Sequence, residues 1–198
     1  AYPLISTNYI FNLSDDNNCS LKDSVYISVN NRIEVDAGND TLICYGDSME
    51  IPGIMLYSGT PPLSYLWSPT STLSDAIALS PKAAPTDTTL YHIEVTDSNF
   101  CKTYDSIRVL VNPILSVSIA NDTLICYGDS IILSVDSSNT IGLEPHIVIW
   151  SPSATLSSNN VLEPGAFPLD TTTYVLSIID ANQCQTKDSI IVNVNPIL

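Results

Sequence analysis

Apolar and polar residues alternate along several short runs of the chain. Tyr91, Ile93 and Val95 fall on one side of an extended backbone, and His92 and Glu94 on the other. Period two is the mark of a half-buried strand. The same alternation runs through Tyr174, Leu176 and Ile178, and through Tyr9, Phe11 and Leu13. A second strand follows each time, at Ile107, Val109, Val111, at Ile190, Val192, Val194 and at Val25, Ile27, Val29. Asp and Asn separate the two members of each pair, which predicts three β-hairpins. "YLWSP" and "VIWSP" predict a central strand with a buried Trp. No segment of useful length carries the helical period.

These runs belong to an internal repeat. "NDTLICYGDS" occurs letter for letter at Asn39–Ser48 and Asn121–Ser130. Trp67-Ser68-Pro69 recurs as Trp150-Ser151-Pro152, and Asp87–Cys101 recurs as Asp170–Cys184. "VNPIL" closes both copies, and the spacing is 82 or 83 residues throughout. A partial copy opens the chain, with Pro3, Tyr9 and Cys19 in the places of Pro85, Tyr91 and Cys101. The expected organisation is therefore half a repeat at 1–33 and full repeats at 34–115 and 116–198. The sequence reads as a piece of a longer array, or as a chain whose first unit another chain completes.

About seven short strands in ~80 residues suggest a two-sheet sandwich, all β, repeated in tandem. Trp67 and Trp150 are expected in the core, together with Tyr9, Tyr91 and Tyr174. The tyrosines sit where a tyrosine corner would lie.

Composition narrows the function. Lys and Arg total 6 against 21 Asp and Glu, a net charge of −15. Nucleic acid and anionic lipid both call for basic patches, so neither is an expected partner. No apolar run approaches the ~18 residues that would span a membrane. No Ser-His-Asp set, phosphate loop or metal motif is present, and His92 and His146 do not align between copies, so no enzyme is expected. The recurring aromatics alternate inward, which disfavours a carbohydrate-binding accessory module.

"DTLICYGDS", then "WSP", then "DTTxYxxxxxDxNxC", then "DSIxVxVNP" is similar to the PKD-like, immunoglobulin-type repeats of large Bacteroidota surface proteins. These occur in gliding-motility-associated adhesins exported by the type IX secretion system. "WSP" stands where the PKD consensus has "WDFGDG", and the C-terminal sorting domain of exported members is not among these residues. The resemblance implies immunoglobulin-like sandwiches placed end to end, outside the cell or on its surface. It implies a stiff stalk or adhesive segment without catalytic residues. Expected partners are neighbouring repeats, other copies of the chain, and glycans or host or prey surfaces. A self-assembling subunit of an extracellular filament or sheath is the alternative.

Five cysteines occupy two recurring positions: Cys44 and Cys126 early in a copy, and Cys19, Cys101 and Cys184 late. A metal site would need clustered ligands, and there is no CxxC. Disulfides in an oxidising compartment fit better. Pairing within a copy, Cys44–Cys101 and Cys126–Cys184, must cross the length of a strand, roughly 33 Å at ~3.3 Å per residue. Bridged Cα atoms lie within ~7 Å. The leading expectation is a Cys44–Cys184 clamp between consecutive copies, with Cys19, Cys101 and Cys126 pairing to neighbouring repeats. Sequence leaves the within-copy alternative open.

Asp followed by Ser or Thr, then an apolar residue or Thr, occurs nine times. The hydroxyl residues are Ser24, Thr41, Ser48, Thr88, Ser106, Thr123, Ser130, Thr171 and Ser189. All are expected where a turn leads into a strand, and capping accounts for them there. The triplet also resembles the O-glycosylation acceptor of Bacteroidota, so the nine are candidate glycan sites as well. The N-x-Ser/Thr sequons, such as Asn39-Asp40-Thr41, are a weaker signal. Asp15, Asp16, Asn17, Asp97, Asn99, Asp180 and Asn182 in the hairpin turns offer oxygens to Ca2+, but each turn alone falls short of six to eight ligands. Turn chemistry is the default, and no resident cofactor is expected.

Overall fold

The computed structural model describes residues 2–136 and 143–196. Every regular element among them is a β-strand. The chain divides into two compact units, residues 1–41 with 48–109, and residues 42–47 with 110–198. Segment 42–47 thus joins the second unit and leaves the first on either side of it.

The opening hairpin joins β1 (Thr7–Ser14) to β2 (Ser20–Ile27), with Tyr9 opposite Val25 and Leu13 opposite Leu21. Then come β3 (Ile33–Asp36), β4 (Thr41–Ile43), β5 (Met49–Glu50), β6 (Ile54–Ser58), β7 (Ser64–Ser68), β8 (Lys82–Ala83), β9 (Thr89–Thr96) and β10 (Lys102–Val111). One sheet runs β4-β10-β9-β7, and β5 pairs with β8. The last copy repeats this plan with β11 (Thr123–Cys126), β12 (Ile131–Ile132), β13 (Ile147–Ser151), β14 (Gly165–Ala166), β15 (Thr172–Ile179) and β16 (Gln185–Asn195). Its sheet runs β11-β16-β15-β13, and β12 pairs with β14. A strand parallel to the last strand, the long late hairpin, and a Trp strand beside it give the A′GFC order, with B against E in the other layer. The fold is immunoglobulin-like.

The period-two pattern decides which residues are inside. Trp67, Tyr91, Ile93, Val95, Ile107 and Val109 are buried in the first unit. In the second unit Trp150, Tyr174, Leu176, Ile178, Ile190 and Val192 pack with Ile119, Leu133 and Ala166. Each Trp finds a partner for its ring N–H, Ala78 O at 3.0 Å for Trp67 and Val161 O at 3.1 Å for Trp150. Each core Tyr bonds a threonine hydroxyl, Tyr91 with Thr72 at 2.5 Å and Tyr174 with Thr155 at 2.6 Å. That differs from a tyrosine corner, whose hydroxyl reaches the backbone a few residues upstream.

Tyr9 is a correction. It lies 37% exposed, with Phe11 at 60% and Leu13 at 55%. It has the strand position of Tyr91, but β1 pairs only with β2, and no second layer covers the face among the described residues.

The Asp-Ser/Thr triplets need a second correction. Six precede or begin strands, whereas Asp23, Asp105 and Asp188 lie inside β2, β10 and β16. The two later aspartates reach sideways. Asp105 Oδ2 accepts the backbone N–H of Ala37 at 2.7 Å, and Asp188 Oδ2 accepts that of Ile119 at 2.7 Å. Asp40 and Asp122 act in the opposite sense, accepting the N–H groups of Arg108 and Ile191 at 2.9 and 2.8 Å. Side-chain acceptors thus tie the segments around β4 and β11 to β10 and β16, and the two acceptors Asp105 and Asp188 satisfy the N–H groups of the buried residues Ala37 and Ile119.

Candidate functional site

The site is the meeting of three short pieces, all within the second compact unit. The first is the turn between β15 and β16. Asp180 Oδ1 accepts the N–H groups of Asn182 and Cys184, both at 2.9 Å. The backbone closes with Asp180 N to Cys184 O at 2.9 Å and Gln183 N to Asp180 O at 3.0 Å. Gln183 takes a left-handed conformation, φ 68°. This is a tight hairpin turn whose left-handed residue is held without glycine by the aspartate cap.

The second piece is the turn after β4. Asp47 N donates to Cys44 O at 3.0 Å. Gly46 has φ 86°, a region that glycine enters without strain, which explains the glycine in "CYGD". The third piece is Asn112, just past β10. Its N–H donates to Ile43 O at 3.0 Å, fixing it beside the turn that carries Cys44.

A disulfide joins Cys44 to Cys184, with the Cα atoms 5.6 Å apart. By the sequence repeat, Cys44 comes from the copy 34–115 and Cys184 from the copy 116–198. Asn112 seals the bond: its Nδ2 donates to Cys184 Sγ at 2.8 Å, and its Oδ1 accepts from Asn182 Nδ2 at 2.7 Å. Asn112 and Cys184 are each only 4% exposed, so their polar atoms meet each other rather than water. Asp180 Oδ2 is buried and has no hydrogen-bond partner among the described residues.

The first unit holds the same parts with the cysteine turn missing. Asn30 Nδ2 donates to Cys101 Sγ at 3.3 Å, and Asn30 Oδ1 accepts from Asn99 Nδ2 at 3.2 Å. Cys101 is a half-buried free thiol, and Cys19 and Cys126 are exposed free thiols. Burial alone would raise the Asp97 carboxyl, but the N–H groups of Cys101, Thr60 and Asn99 outweigh it and hold the group below the usual carboxylate range.

No family model matches the chain, and no curated protein matches it. Among solved structures, the chain is similar to extracellular domains 3–5 of Drosophila OTK, at 10% identity over 96% of this chain and 71% of that one, TM-score 0.48. It is similar to the three immunoglobulin domains I67–I69 of a titin variant, at 11% identity over 96% and 75%, TM-score 0.46. It is also similar to immunoglobulin domains 1–4 of Sidekick-1, at 13% identity over 96% and 58%, TM-score 0.39. The likeness is one of fold.

Of the nine hydroxyls in the Asp-Ser/Thr triplets, Ser24, Ser48, Thr88, Ser130, Thr171 and Ser189 are exposed, and Thr41, Ser106 and Thr123 are half-buried. The turn aspartates Asp15, Asp97 and Asp180 spend an oxygen on backbone N–H groups. Among the described residues no group of three or more His, Cys, Asp or Glu is placed to hold a metal ion. No helix among them is long and apolar enough to cross a membrane.

Sequence reading passed over Asn30 and Asn112. The signal was present in "VNN" and "VNP", where Asn stays while the following residue changes. It marked the end of a copy and gave no sign that the side chain would reach a cysteine some 70 residues away.

Proposed function

We propose that this chain is a non-catalytic, extracellular structural or adhesive segment of a large bacterial surface protein, acting as a stiff, load-bearing stalk. The observation that carries this reading is the Cys44–Cys184 disulfide, which ties one sequence copy to the next, with Asn112 buried against it. A covalent link between consecutive copies resists their separation under load, and a stable disulfide belongs to an oxidising compartment. The repeat motifs support a Bacteroidota source and export to the cell surface. Six exposed hydroxyls of the Asp-Ser/Thr triplets suit O-glycosylation, which would cover the polar strand edges of a surface with few charges. Adhesion to glycans or to host or prey surfaces would then fall to the exposed faces of the sandwiches.

The test is peptide mapping by mass spectrometry of native material, before and after reduction. The expected result is a linked Cys44–Cys184 peptide with hexose-type mass additions on the triplet peptides. A linked Cys44–Cys101 peptide, or thiols that remain reduced in native material, would overturn the clamped stalk. Nine unmodified triplets would remove the glycan part alone.

A further inference from the structure

The chain holds one side-chain cluster in two redox states. In the second unit the sulfur of Cys184 is bonded to Cys44. In the first unit Cys101, the residue in the same place of its copy, is a thiol. The surroundings match. Asp97 Oδ1 accepts the N–H groups of Asn99 and Cys101, both at 2.9 Å, as Asp180 Oδ1 accepts those of Asn182 and Cys184. Asp97 N donates to Cys101 O at 3.0 Å, Phe100 N donates to Asp97 O at 3.0 Å, and Phe100 is left-handed as Gln183 is. Asn30 donates to the thiol sulfur as Asn112 donates to the disulfide sulfur. The turn and its asparagine therefore take the same form with and without the sulfur–sulfur bond. One difference remains. The Cys101 thiol donates to the Asp97 carboxylate. Cys184 has no S–H to give, and Asp180 Oδ2 is buried without a hydrogen-bond partner among the described residues.

The two sulfurs of the disulfide are unlike. Cys184 is 4% exposed and accepts the Asn112 Nδ2–H at 2.8 Å. Cys44 is half-buried, on a turn where Tyr45, Gly46 and Asp47 are all exposed. Thiol exchange depends on which sulfur can be reached and on how well the other carries the departing charge. Both criteria give the same direction. We propose that Cys44–Cys184 is a thiol-exchange site of fixed polarity: a small-molecule thiol attacks Cys44 Sγ, and Cys184 leaves as a thiolate held by Asn112. The proposal rests on the reading of this bond as the link between consecutive copies, and adds that the link opens and recloses without unfolding.

The small-molecule thiolate supplies the electron pair of the new bond to Cys44 Sγ. The Sγ–Sγ bond breaks, and its pair goes to Cys184 Sγ. That sulfur takes a proton from solvent and donates it in a hydrogen bond to the Asp180 carboxylate, as Cys101 does to Asp97. A second thiolate attacks the outer sulfur of the mixed disulfide and frees the Cys44 thiolate, which is protonated in turn. Two small thiols become one disulfide, and the protein disulfide takes up two electrons and two protons. The backbone N–H of Asn112 still holds Ile43 O, 3.0 Å away, so the turn that carries Cys44 stays beside Cys184. A small-molecule disulfide closes the bond again by the reverse steps.

The experiment uses the folded chain carrying Cys19→Ser, Cys101→Ser and Cys126→Ser, so that no other thiol exchanges. Reduced glutathione in excess is the probe. Exchange is stopped with acid at early times, and adducts are located by peptide mass spectrometry. The expected result is glutathione on Cys44 and none on Cys184. Asn112→Leu keeps the volume and removes the N–H donor. It is expected to slow reduction about fivefold, the loss of one hydrogen bond, under conditions where its urea curve shows it folded. In the full chain, oxidised glutathione added after reduction restores Cys44–Cys184 before any other pair. Glutathione on Cys184, on both cysteines alike, or on neither while reduction proceeds overturns the proposal. So does reduction that proceeds only in urea that unfolds the chain, an unchanged or faster rate in Asn112→Leu, or a mixture of pairings on reoxidation. None of these results touches the stalk reading, which is tested separately by the Cys44–Cys184 peptide of native material before any thiol is added.

Discussion

Asn112 donates a side-chain hydrogen bond to Cys184 Sγ at 2.8 Å while its backbone N–H binds Ile43 O at 3.0 Å, one residue before Cys44. One asparagine therefore touches the two sides of the disulfide. The same geometry recurs between Asn30 and Cys101, where no disulfide is present. The polar contact thus stands with or without the bond and can position the cysteine for it.

Removing the bond tests how much it contributes. The 140-residue separation places it among long loops, and Cys44→Ser with Cys184→Ser is expected to lower stability by roughly 2–4 kcal/mol. Thermal unfolding with and without reductant checks this. The double variant should show no further shift on reduction. A variant lacking Cys19, Cys101 and Cys126 should still show the full shift.

Stability should fall in acid. Asp97 is held below the usual carboxylate range by three backbone N–H donors despite its burial, and Glu94 is lowered first of all by its hydrogen bond from Lys102. A carboxyl whose folded pKa is depressed contributes stability above its unfolded pKa, and that contribution is lost as pH falls through the folded value. The urea midpoint is therefore expected to drop below the usual carboxylate range. Asp97→Asn should flatten that dependence, and an unchanged slope in this variant would rule out Asp97 as a source.

Asp188→Ala leaves the N–H of Ile119, a core residue, without its acceptor, and should cost about 1–3 kcal/mol. Asp188→Asn keeps an acceptor and should recover much of the loss. Chemical denaturation of the two variants separates the lost hydrogen bond from the lost charge.

Tyr91 and Tyr9 occupy equivalent strand positions, so their alanine variants make a direct comparison. Tyr91 is wholly buried and bonded to Thr72, and Tyr91→Ala should cost about 3–5 kcal/mol, as for other large aromatics. Tyr9→Ala should stay within about 0.5 kcal/mol, as for an exposed site. Equal losses in urea unfolding would mean that the β1–β2 face is covered in solution.

Phe100 has φ 62° and its side chain is 86% exposed. A left-handed conformation is strained for such a residue by about 1–2 kcal/mol, and glycine relieves that at an entropic cost of roughly 0.5–1 kcal/mol. Phe100→Gly is therefore expected to raise stability by about 0.5–1 kcal/mol in thermal unfolding. A loss would mean that the Phe ring makes a contact in solution that offsets the strain.

The strand pattern, the repeat and the inward aromatics were legible in the sequence because period two and burial are linked residue by residue. Tyr91, Trp67 and their counterparts needed only their neighbours to be placed. Tyr9 carries the same letters and reads the same way, yet burial depends on a second layer that the pattern around it does not contain. Asp105 and Asp188 looked like turn residues because Asp-Ser usually is one. They sit in mid-strand because each accepts an N–H some 68 or 69 residues away. Only the folded chain puts such partners side by side. The sequence by itself determined which elements form, since that rests on local periodicity and turn chemistry. The tertiary structure decided which cysteine meets which and gave Asn112 its role, because a bond between residues 140 apart depends on where the strands end in space.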